Sequence, residues 1–92
     1  MVRYAWNPDK NDWLHQTRGL GLEDVVVAIQ TGGLLDIIAH HNPTRYPRQR
    51  LLVIKIGDYA YMVPCIVEGD EYFLKTIYAS RKATRDYLHK EE

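Results

Sequence analysis

Residues 50–79, RLLVIKIGDYAYMVPCIVEGDEYFLKTIYA, decide the fold. Apolar and β-branched residues fill three runs, separated by Gly57-Asp58 and Gly69-Asp70. Gly-Asp dipeptides favour tight turns, because glycine reaches positive φ without a steric penalty. The spacing predicts strands over 50–56, 59–67 and 71–79, joined as an antiparallel meander. Pro64 has no backbone N–H, so its strand is expected at an edge or a bulge.

Moving toward the N-terminus, residues 42–49 (Asn-Pro-Thr-Arg-Tyr-Pro-Arg-Gln) form a loop, because two prolines and an asparagine punctuate them. Residues 34–41 read as a further strand. Before them, Leu22, Val25, Val26 and Ile29 recur at helical spacing. Glu23 and Asp24 lie in that helix's first turn, where carboxylates oppose the positive helix end, and Gly32-Gly33 end it. Asn7 is a good N-cap and Pro8 suits the first helical position, which predicts an earlier helix from Pro8 to about Thr17, broken by Gly19 and Gly21. Arg3 to Trp6 precede it as a short strand. At the other end, Ser80 caps a final helix running to about Lys90, with Ala83, Tyr87 and Leu88 as its apolar stripe. The expected architecture is α+β. It has a single antiparallel sheet of about four to five strands, two N-terminal helices and one C-terminal helix, with the helices on one face.

Ninety-two residues suffice for one domain with one core. Twelve basic and twelve acidic residues cancel, so net charge offers no case for a nucleic-acid partner. The distribution does. From Ile37 to Gly57 there is no carboxylate, while His40, His41, Arg45, Arg48, Arg50 and Lys55 occupy the interval. A local positive patch acts within a Debye length of roughly 8 Å whatever the net charge. The single cysteine, Cys65, lies in an apolar run and reads as a buried inert thiol, which suits a reducing compartment. The opening Met1–Trp6 lacks an apolar signal region and no run approaches 18 apolar residues, so a cytoplasmic protein without a membrane span is expected.

A second cationic cluster lies in residues 73–88, where Lys75, Arg81, Lys82 and Arg85 accompany Tyr78 and Tyr87. Arg81 and Arg85 share a helix face, while Lys82 and Asp86 are spaced to pair. Lys75, on a strand, would share a face with Phe73 and Ile77. There it is either a phosphate contact or perturbed base on an open face, or a scaffold residue whose ammonium snorkels to the edge. Adjacent strand residues point to opposite faces, so His40 and His41 are not expected to share an ion. His15, His89 and Cys65 lack ligand spacing, so no metal and no cofactor is expected. Tyr59 and Tyr61 fit ordinary sheet packing. Tyr46 and Tyr78 sit beside cations, as suits stacking with unpaired bases.

The chain resembles the BrnT-like toxins of bacterial type II toxin–antitoxin systems, within the broader RelE/ParE-like group. The features that carry the resemblance are Tyr4-Ala5-Trp6-Asn7 with Lys10 and Asn11, Leu22-Glu23-Asp24, and above all Ile77-Tyr78-Ala79-Ser80-Arg81-Lys82-Ala83. The last matches a family segment of the type Ile-Ile-Ser-Ala-Arg-Lys-Ala. The resemblance implies a metal-independent ribonuclease that inhibits translation. Its partner would be a small DNA-binding antitoxin of ribbon-helix-helix or helix-turn-helix type, which neutralises it in a hetero-oligomer. Arg81 and Lys82 are carried over directly. The chain departs from the family at Thr17-Arg18, where a Lys-His pair is frequent.

For RNA cleavage, Arg81, Lys75, His40 and Tyr78 are the candidate catalytic residues. Lys82, Arg85, Arg50, Arg48, Arg45 and Tyr46 are the candidate RNA contacts. A non-catalytic RelE/ParE-like module that holds a protein or nucleic acid with the same cations is the alternative.

Overall fold

The structure, a computed structural model, describes residues 1–89. Its elements are β1 (Arg3–Ala5), α1 (Pro8–Arg18), α2 (Leu22–Gln30), β2 (Leu34–Ala39), β3 (Gln49–Ile56), β4 (Tyr59–Glu68), β5 (Glu71–Leu74), β6 (Tyr78–Ala79) and α3 (Arg81–Ala83). A π-helical turn, Thr84–Leu88, extends α3. The expected end of this helix near Lys90 lies outside the described residues. No described helix is long and apolar enough to cross a membrane.

The α+β class and the order of elements match the sequence expectation, and the sheet differs in three ways. Its order is β1-β5-β4-β3-β2, with β6 also paired to β4. First, β1 runs parallel to β5, so the sheet is mixed rather than purely antiparallel. Second, the predicted strand over 71–79 breaks into β5 and β6, which brings the count to six. β5 pairs with the C-terminal half of β4, and β6 with Tyr61 and Met62 near its start. Third, the helices cover both faces.

The face assignment follows from side-chain alternation. Leu52, Ile54, Val63, Cys65, Leu74 and Ile77 pack in one cluster with Leu14 of α1 and with Leu22, Val25 and Ala28 of α2. Val53, Ala60 and Met62 project the other way and pack with Leu35, Ala83, Tyr87 and Leu88. The C-terminal apolar stripe is as expected, but it covers the face opposite α1 and α2. A central strand with apolar residues on both faces needs cover on both.

Pro64 lies in an interior strand, not at an edge, opposite Leu51 of β3. A strand residue directs its N–H and C=O to the same side. The Pro64 carbonyl accepts the Lys75 N–H at 2.9 Å, so the missing donor faces the gap between β5 and β6, where no ladder bond is lost.

Local chemistry explains the helix ends. Asn7 Oδ1 accepts the N–H groups of Asp9 and Lys10 at 2.8 and 3.2 Å. Asn11 locks α1 to α2, accepting the Leu22 N–H at 2.6 Å and donating to Glu23 at 2.7 Å. The amide of Asn11, with the helix-end N–H and His15, holds the Glu23 carboxyl below its usual range. Gly32 has φ of 90°, and a Cβ on Gly33 would lie 2.8 Å from the Lys55 carbonyl, so the turn into β2 requires both glycines.

Thr84 fastens α3 to the sheet. Its buried Oγ1 accepts the Ala60 N–H at 2.9 Å and donates to the Ser80 carbonyl at 2.8 Å. Thr84→Val keeps the shape but orphans the Ala60 N–H. The expected loss is about 1–3 kcal/mol, the cost of a buried unsatisfied donor. It is read as a lower urea midpoint with an unchanged slope.

Candidate functional site

Register aligns Ile38, Leu51 and Pro64 in one row, and Ala39, Arg50 and Cys65 in the next. They line a cleft of about 580 Å³. His40 and His41 beyond β2, Gln49 and Arg50 of β3, and Lys75 and Thr76 after β5 complete its wall. Among the described residues, no Asp or Glu lines it. An apolar base with convergent polar groups is the usual composition of a ligand site.

His40 is the most constrained of these groups. Its Nδ1 accepts the Asn42 N–H at 3.0 Å. An Nδ1 that accepts puts the neutral ring's proton on Nε2, leaving Nε2–H as a donor. Two rings hold the imidazole from the sides. His41 stacks at 4.2 Å between centroids and Tyr46 lies at 4.5 Å. The loop that supplies Tyr46 is itself bound, since the Tyr46 N–H donates to the Asn42 carbonyl at 3.0 Å.

The expected divergence of His40 and His41 is therefore corrected. β2 ends at Ala39, so strand alternation does not extend to the pair, and a bend brings the two rings together. Among the described residues, no group of three His, Cys, Asp or Glu side chains is arranged to hold a metal ion.

Lys75 is corrected likewise. The chain leaves the sheet after Leu74, so Lys75 does not share a strand face with Phe73 and Ile77. Its backbone is pinned by the bond to Pro64, its side chain is exposed, and it has no ion pair among the described residues. Next to it, Thr76 Oγ1 is buried without a hydrogen-bond partner, an unused polar atom in the cleft wall.

The other predicted residues separate. Arg50 lies beside Cys65 in register, and its guanidinium donates to the carbonyls of Pro47 and Gln49 at 2.7 and 3.0 Å. Arg48 pairs with Glu68 at 2.6 Å, and Lys82 and Arg85 both pair with Asp86, at 3.0 and 3.3 Å. Arg45 sits over the Tyr46 ring, 5.6 Å from its centroid. Arg81 is exposed at the start of α3 and does not line the cleft, and Tyr78 lines a different cavity. Tyr59 and Tyr61 pack edge to face at 6.0 Å, as sheet packing predicts. Sequence reasoning missed His41 and Thr76. The loop punctuation at Asn42-Pro43 was the available signal that β2 ends early enough for the histidines to converge.

Cys65 contributes to the cleft wall, and its side chain is buried. Burial pushes its thiol up to about 11, against a weaker downward pull from Arg50. At pH 8 native Cys65 is expected to react with iodoacetamide far more slowly than in urea, because the thiolate is the reactive form. The folded value exceeds the unfolded one. This group's stabilising contribution is therefore complete below about pH 9 and declines as pH rises toward 11.

No protein-family model matches the chain, and neither the curated proteins nor the solved structures give a significant match.

Proposed function

We propose that the chain is an RNA-cleaving toxin, that the His40–His41–Lys75 cleft is its active site, and that a small DNA-binding antitoxin neutralises it. The observation that carries the proposal is the convergence of two imidazoles and an ammonium on an apolar cleft that no carboxylate among the described residues lines. RNA brings its own nucleophile, the 2′-hydroxyl. One imidazole, assigned to His41, takes the 2′-hydroxyl proton as O2′ attacks phosphorus. The Lys75 ammonium gives a proton to the departing O5′. The Nε2–H of His40 donates a hydrogen bond to the charge that develops on the phosphorane oxygens. The P–O2′ bond forms and the P–O5′ bond breaks, leaving a 2′,3′-cyclic phosphate and a free 5′-hydroxyl.

Purified protein incubated with single-stranded RNA in chelator tests this reading. Fragments ending in cyclic phosphate are expected, and intact RNA at high protein concentration overturns it. Growth arrest on expression of the chain alone, relieved by the neighbouring reading frame, is the expected cellular result.

One observation favours the non-catalytic alternative. Arg48 pairs with Glu68, and Lys82 and Arg85 share Asp86, which leaves less free positive charge for a long strand. Retarded but uncut RNA in the same assay would select that reading.

A further inference from the structure

The end of α1 and β6 border a second cavity, of about 440 Å³, lined by Arg18, Leu20, Tyr61, Ile77, Tyr78 and Ala79. It shares no lining residue with the His40 cleft. Its size falls within the range of small-molecule sites.

Its chemistry has three parts. Leu20, Tyr61 and Ile77 belong to the core or pack against it, so they form a firm apolar floor. Tyr78, 41% exposed, presents an aromatic ring at the rim. Arg18 supplies charge. Its Nη1 donates to the Ile77 carbonyl and its guanidinium lies 5.2 Å from the Trp13 ring centroid. The guanidinium is thus positioned by main chain and ring, and no carboxylate pairs with it among the described residues. Lys10 Nζ, 4.3 Å from the same Trp13 ring, adds a second positive charge nearby. Among the described residues, none that lines the cavity is acidic.

A guanidinium carries five donors in a planar fork, and one bond to a carbonyl leaves enough to hold a phosphate. Stacking on tyrosine is available to every nucleobase. We propose that this cavity binds a nucleotide unit, with the base on Tyr78 and Tyr61 and the phosphate on Arg18. The unit is either a free mononucleotide or one residue of a single-stranded RNA.

Nuclear magnetic resonance titration of the whole chain tests the proposal. Probes are AMP, inorganic phosphate and a single-stranded RNA hexamer, read at the Arg18 Nε and the amides of Tyr78 and Ala79. Saturable shifts are expected with AMP or the hexamer, and weaker binding with phosphate alone. Tighter binding of the hexamer identifies a strand as the source, and equal affinity identifies the free nucleotide. Arg18→Ala and Tyr78→Ala should each weaken binding about tenfold, within the range set by loss of one stacked base. AMP has no internucleotide bond to cleave, so its titration and the RNA-cleavage assay let this site and the cleavage reading fail separately. Absence of saturable shifts at Arg18 and Tyr78 at millimolar ligand overturns the proposal in the wild-type protein. Full affinity in folded Arg18→Ala does so as well.

Discussion

Replacing His40 with alanine is expected to lower RNA cleavage at least about 100-fold, the usual worth of a preorganised donor to developing charge. The expectation rests on preorganisation. Asn42 fixes Nδ1 as an acceptor, and His41 and Tyr46 confine the ring from its sides, so Nε2–H is aimed before substrate arrives. A glutamine at 40 keeps an N–H donor and some of the packing, so it should retain more activity than alanine. Lys75→Ala removes the proton donor to O5′ and is expected to cost a similar factor. Both side chains lie outside the buried core, so thermal unfolding should change little and separate catalysis from folding. By contrast, Arg81→Ala should have a small effect on the chemical step, because Arg81 does not line the cleft. If Arg81→Ala abolished cleavage and His40→Ala did not, the active site would have to be moved to the start of α3.

Ile54→Ala is expected to destabilise the fold by about 2–5 kcal/mol through lost transfer energy and the cavity left behind. Ile54 is fully buried in β3, an interior strand paired with β2 and β4, and it packs in the cluster shared with α1 and α2. The residues around it come from several elements, so the site cannot collapse by moving one side chain. A domain of this size has a total stability of only about 5–15 kcal/mol. Each kcal/mol corresponds to roughly 4–8 °C in melting temperature, so a fall of the order of 10 °C or more is expected. Ile37→Ala is the control, since Ile37 is 45% exposed on the edge strand β2 and should be worth under about 0.5 kcal/mol. Equal losses at the two positions would contradict the assignment of β3 as the centre of the core.

The parts of the fold legible in the sequence are those with local causes. Asn7-Pro8 starts α1 where expected, and Gly57 and Gly69 take positive φ at the two predicted turns. Ser80 Oγ accepts the Ala83 N–H at 3.0 Å, as a cap should. Lys82 and Asp86 pair as their i, i+4 spacing suggests. The candidate site was legible only in part. His40, Lys75 and Arg50 line one cleft although they come from three distant segments. Arg48 and Arg85, expected on RNA, pair with Glu68 and Asp86. Arg48 pairs with Glu68, twenty residues away, where the β3–β4 hairpin brings the start of one strand beside the end of the other.

Sequence alone determined the class of the fold, the order of its elements and the identity of its core strands. Hydrophobic period, turn chemistry and helix caps act over a few residues and need no knowledge of the rest of the chain. Only the tertiary structure decided the parallel pairing of β1 with β5, the packing of α3 on the face opposite α1 and α2, and the interior position of Pro64. It also decided that β2 stops one residue before His40, which turns two residues expected on opposite faces into a stacked pair. These outcomes depend on which strands lie side by side and where their ladders end. They are set by contacts between residues far apart in the sequence, and the chain's local patterns do not encode them.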